Sequence, residues 1–177
     1  KYADQESAPG ALHLLAQVNA AQGEWASAQE VCGLIELRHP GNPEAPAAWL
    51  DLASSMAAAG QMEAARDVLK HVETAYAGQA WGERAALQGI ELQLAQGDRS
   101  QALKSLRALT ANTNLMAKTR AQGYQITAQA LGAESNYPAA LEMIDRGIAA
   151  GADPAQRLEG QVVKARLLLL SGRVAEG

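Results

Sequence analysis

An all-α fold of antiparallel helix hairpins is predicted by three features of the 177-residue sequence. The first is composition. Ala occurs 39 times and Leu 22 times, against 17 for Val, Ile and Thr together, and Phe is absent. Strands favour β-branched and aromatic side chains, so this balance points to helices packed closely on small residues. The second is a recurring phrase. Ala21-Gln22-Gly23-Glu24-Trp25-Ala26-Ser27-Ala28 returns as Ala58-Ala59-Gly60-Gln61-Met62-Glu63-Ala64-Ala65 and as Ala95-Gln96-Gly97-Asp98-Arg99-Ser100-Gln101-Ala102. A fourth copy, 133–140, places Ser135 where the others have Gly, and a fifth begins at Leu170-Ser171-Gly172. The turn positions 23, 60, 97, 135 and 172 are separated by 37, 37, 38 and 37 residues, a regularity that marks a repeat array. The third feature is small residues in register. Ala28, Ala65, Ala102 and Ala140 lie five residues after the turn, and Ala16, Ala53, Ile90, Ala128 and Ala165 lie seven before it. Small side chains on both arms let two helices approach closely in a hairpin.

The elements follow in order. Ser7 and Pro9 open a helix over 8–22, which Gly23 ends, because glycine accepts the left-handed backbone of a helix C-terminus. A second helix, 24–38, runs into the turn chemistry of Arg38-His39-Pro40-Gly41-Asn42-Pro43. Asn42 and Pro43 then supply a cap and a first-turn proline for 43–59. Further helices are expected over 61–76, 80–96, 98–110, 115–133 and 137–150. Asp153 and Pro154 start the last, 154–171. Repeats are therefore placed at 8–42, 43–79, 80–114 and 115–153, with a partial copy at 154–177, in one array over 1–177. The chain starts at Lys1 and Ser171–Gly177 reads as the opening of another copy, so it is expected to be a piece of a longer protein.

Several function classes lose support. The net charge of −4 removes the electrostatic reason to expect nucleic acid. The Leu167–Leu170 run is too short to cross a bilayer, so no membrane insertion is expected. Cys32 has no partner for an internal disulfide and reads as a small buried hydrophobe rather than a nucleophile. His13, His39 and His71 fall on different elements with no acidic or Cys partner at ligand spacing, so no metal site is expected. No phosphate loop or nucleophile elbow is present. Neither catalysis nor a cofactor is expected.

The repeat resembles the tetratricopeptide repeat (TPR) family, whose pattern runs Trp, Leu, Gly and Tyr, then Ala, an apolar residue and Pro. Trp49, Leu52, Ala53, Ala65 and Leu69 carry it in the second copy, and Leu12, Leu15, Ala16, Ala28 and Pro40 in the first. The likeness weakens at Gly89 and Ile90 in the third copy and at Thr127 and Gly147 in the fourth. The resemblance implies hairpins stacked as a right-handed superhelix, an α-solenoid of about four and a half repeats. It places Trp25, Trp49 and Tyr137 in the core. Trp81, beside Gly82 at a connector, is expected to pack over a neighbouring hairpin.

In this family the first helix of each pair lines a concave groove. Carried over, the groove positions are His13, Gln17, Asp51, Ser54, Arg84, Gln88, Glu91, Gln122, Gln125, Gln129, Glu159 and Arg166. This polar lining implies a non-enzymatic scaffold for a protein or peptide, with an accessory or regulatory domain of a larger enzyme or transcription regulator as the alternative. An α/α-toroid hydrolase would need converging acidic pairs, whereas the acidic residues here are dispersed. Positions at which chaperone-binding members carry Lys and Asn hold His13, Leu50, Asp51, Ser54 and Arg84, which argues against a chaperone tail as ligand. The repeats exceed the usual length of about 34 residues by about three. The lengthened, Pro-rich connector resembles that of bacterial cell-envelope helpers, which points to the envelope and leaves a cytoplasmic scaffold open. Val162, Val163 and Leu167–Leu170 crowd the last helix with apolar side chains on more than one face. Self-association through about 158–170, or continuation into further repeats, is the expectation there.

Overall fold

The first four copies of the phrase fold into the same three-residue turn. In the computed structural model, which describes residues 8–151 and 153–172, Gly23, Gly60, Gly97 and Gly172 have φ between 77° and 84°. Ser135 adopts φ 60° and is the one non-glycine residue with positive φ among those described. The N–H groups of Glu24, Gln61, Asp98 and Asn136 reach back to the carbonyls of Asn19, Met56, Gln93 and Leu131 at 2.8–3.0 Å. This is the long bond of a helix C-terminal motif and satisfies a carbonyl the helix leaves free. The same four residues share φ near −82° and ψ of 57–64°. Their carbonyls accept from the N–H groups of Ala28, Ala65, Ala102 and Ala140 at 2.9–3.0 Å.

Nine helices result among the described residues. They are α1 (Ala8–Ala21), α2 (Trp25–Arg38), α3 (Glu44–Ala58), α4 (Met62–Ala75), α5 (Ala80–Ala95), α6 (Arg99–Ala111), α7 (Ala117–Ala133), α8 (Tyr137–Ala150) and α9 (Pro154–Leu170). Asp153 Oδ1 accepts from Gln156 N at 2.9 Å and caps α9 as the sequence implies, whereas α3 starts one residue later than expected, with Pro43 at the cap position and Asn42 Oδ1 accepting from Glu44 N at 2.9 Å just ahead of it. The Ser7 cap lies outside the described residues, as does the stretch 173–177. Helix α7 begins two residues later than the sequence suggests. There the guanidinium of Arg120 donates to the carbonyls of Asn112, Thr113 and Leu115 at 2.9–3.3 Å and ties down the connector.

The chain groups into two compact units, Lys1–Leu92 and Gln93–Gly177. In the first, α1 pairs with α2 and α3 with α4, and both α1 and α2 pack on α3. Its core combines small residues (Ala16, Ala28, Ala53, Ala65) with Cys32, Ile35, Trp49, Leu52, Met56 and Val72. In the second, α7, α8 and α9 pack on one another in the pattern of α1, α2 and α3, and α6 packs on α7. Ala128, Leu131, Ala140, Leu141, Ile144, Leu167 and Leu168 form its core. Ala28, Ala65, Ala102 and Ala140 are all 0% exposed, and Ala16, Ala53, Ile90 and Ala128 are buried too.

Four expectations need correction or refinement. Ala165 is exposed. Leu167 and Leu168 are buried in the core of their own unit, which leaves Leu158, Val162, Leu169 and Leu170 as the exposed large apolar residues of α9. Trp81 lies in the first turn of α5 rather than in a connector and packs against the first unit's core. Trp49 is buried, whereas Trp25 and Tyr137 are half-buried against their cores.

The left-handed turn position costs an L-residue about 1 kcal/mol or more. Ser135→Gly is therefore expected to stabilise the protein by up to about 1 kcal/mol, and Gly60→Ser to destabilise it by a similar amount, read from urea midpoints. Ala65→Leu, which forces volume into a closed hairpin, is expected to cost about 1–3 kcal/mol or more by the same measurement.

Candidate functional site

The first helices of adjacent hairpins bring polar side chains together within each unit. In the first unit, His13 and Gln17 stand one turn apart on α1 and face α3. His13 Nδ1 lies 2.6 Å from Glu44 Oε2, and its Nε2 lies 3.0 Å from Asp51 Oδ2. Gln17 Nε2 donates to the same Asp51 oxygen at 2.9 Å. Ser54 turns away from this network and donates to the Leu50 carbonyl at 2.9 Å.

On α5, Arg84 and Glu91 are exposed, and Gln88 is half-buried with a buried Oε1 that has no hydrogen-bond partner. Glu91 is exposed as a residue, yet desolvation of its carboxyl raises its pKa above the ordinary 4.5.

In the second unit, Gln122, Gln125 and Glu159 line one crevice between α7 and α9, floored by Gly147 and Gly160. It has no room for a water-sized guest. Gln129 and Arg166 border a larger hollow of about 310 Å³ with Val163, Leu167 and Leu170. The proposed positions thus meet in three sets, His13 with Gln17 and Asp51, Gln122 with Gln125 and Glu159, and Gln129 with Arg166.

Two histidines have acidic partners that the sequence reading did not find. Glu44 completes the His13 network, and His71 Nε2 lies 3.1 Å from Glu36 Oε2. The separations along the chain are 31, 34, 35 and 38 residues, close to one repeat, and that period is the signal that could have found them. Among the described residues, no group of His, Cys, Asp and Glu is placed to hold a metal, and no helix is long and apolar enough to cross a membrane. Cys32 is fully buried, and burial first, then the Glu36 and Asp51 carboxylates, push its thiol up to about 12.

These features define the fold of TPR-like repeat proteins. The chain is similar to nearly identical TPR-like repeats from a Podosopora anserina protein described as a candidate kinesin light chain. That match has 21% identity and a TM-score of 0.61, covering 97% of this chain and 91% of the other. It is also similar to BtubC from P. vanneervenii, at 12% identity and a TM-score of 0.65 over 96% of this chain and 75% of the other. A TPR protein from Parabacteroides merdae matches at 15% identity and a TM-score of 0.57, over 95% and 64%. No family model matches the sequence, and no curated protein does.

Two titrations follow. The folded state holds the Glu91 proton more tightly than the unfolded chain does, so ionisation disfavours folding. That effect is absent below about pH 4.5 and grows as pH rises through the folded-state pKa. Glu91→Gln is expected to raise the thermal midpoint at pH 7 and to leave it nearly unchanged at pH 4. At pH 8, Cys32 is expected to resist a thiol-specific chromogenic disulfide until urea unfolds the protein.

Proposed function

We propose that the chain is a non-enzymatic scaffold that holds a protein or peptide segment along its first helices. The observation that carries this reading is the pairing of polar side chains from neighbouring first helices in both units. Gln17 and Asp51 bridge α1 and α3, and Gln122, Gln125 and Glu159 converge from α7 and α9. Amide side chains offer both donors and acceptors and can bond an extended peptide backbone without demanding a particular sequence. The mixed charges at Asp51, Arg84, Glu91 and Arg166 would set the register of the bound segment. The TPR-like fold of the solved neighbours supports an interaction role in general terms.

Photo-crosslinking tests this. A benzophenone side chain placed at Gln17 or Gln129 is expected to capture a defined partner from the source cell, and one placed at Lys70 or Glu142, on second helices, is not. Equal capture from both sets would remove the first helices from the proposal.

A further inference from the structure

Within the first unit, a carboxylate is held only by uncharged or aromatic donors at the edge of a ring-lined hollow. Glu36, near the end of α2, accepts from the indole N–H of Trp49 at 3.3 Å, and its Oε2 lies 3.1 Å from His71 Nε2. Burial first, and then the nearby Glu36 carboxylate, raise the Tyr76 pKa above the usual phenol range. The imidazole of His71 packs against Trp49, with ring centroids 4.8 Å apart. No Lys or Arg makes an ion pair with Glu36 among the described residues, so these contacts position its charge without a lysine or arginine to offset it.

Beside it, the α2–α3 connector and the α4–α5 junction enclose a hollow of about 320 Å³. Its walls include Pro40, Pro43 and Pro46, together with the half-buried rings of Tyr76 and Trp81. Gly82 fixes that wall, because a Cβ there would run into the carbonyl of Tyr76. Trp81 is thereby held at the rim by the close seating of α5 on the end of α4. The surrounding unit adds a field of the same sign, since twelve acidic and five basic residues fall within 1–92.

We infer that this hollow binds the guanidinium side chain of an arginine in a partner polypeptide. The rings of Tyr76 and Trp81 offer π-faces to a flat cation. Pro40 and Pro43, which are exposed, offer apolar contact to its methylene stem. Glu36 supplies the opposite charge at the edge of the hollow, and the acidic unit attracts the cation from a distance. This site is separate from the polar lining of the first helices and does not rest on it.

The probe is a capped tripeptide, acetyl-Gly-Arg-Gly-amide, titrated into the ¹⁵N-labelled protein while the indole N–H signals of Trp49 and Trp81 are followed. Saturable shifts are expected at both indoles, weakened by added salt, and at least about tenfold weaker with norleucine in place of arginine. Glu36→Gln is expected to weaken binding by about tenfold. Because Glu36→Gln removes a charge from a core-edge network, Trp81→Ala serves as a second variant, with helicity checked by circular dichroism, and is expected to lose binding while remaining helical. Equal shifts from the arginine and norleucine peptides would overturn the assignment. So would undiminished binding by a folded Glu36→Gln or Trp81→Ala protein.

Discussion

The closed contact at the hairpin turn is the constraint on which the rest of the structure depends. A positive-φ residue ends one helix, and five residues later an alanine with no exposed surface begins the packing of the next. Neither half works alone. The turn sets the direction of the returning helix, and the methyl side chain lets that helix come close, with Ala16, Ala53 and Ala128, seven positions before the turn, buried as well. Once this geometry is fixed, the phase of both helices is fixed, and every other position in the repeat acquires a defined neighbour.

That phase explains how polar groups far apart in sequence meet. His13 with Asp51, Gln17 with Asp51, and His71 with Glu36 are separated by 34 to 38 residues, about one repeat. A helix face that recurs at this period lies beside its own counterpart in the next copy. The core therefore need not specify these contacts one by one. It specifies a register, and the surface positions are free to vary in their chemistry. The exchange of glycine for Ser135 shows the tolerance of the device: the backbone keeps its left-handed turn at φ 60° and accepts the strain.

Much of this was legible in the sequence because it repeats. The turn residues, the buried alanines and the side-chain cap at Asp153 are local signals that the sequence displays directly. What was not legible depends on details that differ between copies. The partnership of Glu44 with His13 joins the first turn of α3 to the middle of α1, off the strict period by several residues. The place of Trp81 follows from how closely α5 seats on the carbonyl of Tyr76, a contact that only Gly82 permits. The leucine run of α9 gives no phase by itself, since four consecutive leucines cover the whole circumference of a helix. Burial of Leu167 and Leu168 and exposure of Leu169 and Leu170 emerge only when α7 and α8 are in position.

The distribution of charge adds a constraint that the repeat does not impose. Residues 1–92 hold twelve acidic and five basic side chains, whereas 93–177 hold seven acidic and ten basic. The packing pattern of α1, α2 and α3 recurs in α7, α8 and α9, so the hairpin geometry demands no such difference. Surface charge contributes little to the stability of a helical array, and it governs which partners approach and in which orientation. The difference between the two units is therefore carried by surface positions that the repeat leaves free, and not by the backbone pattern they share.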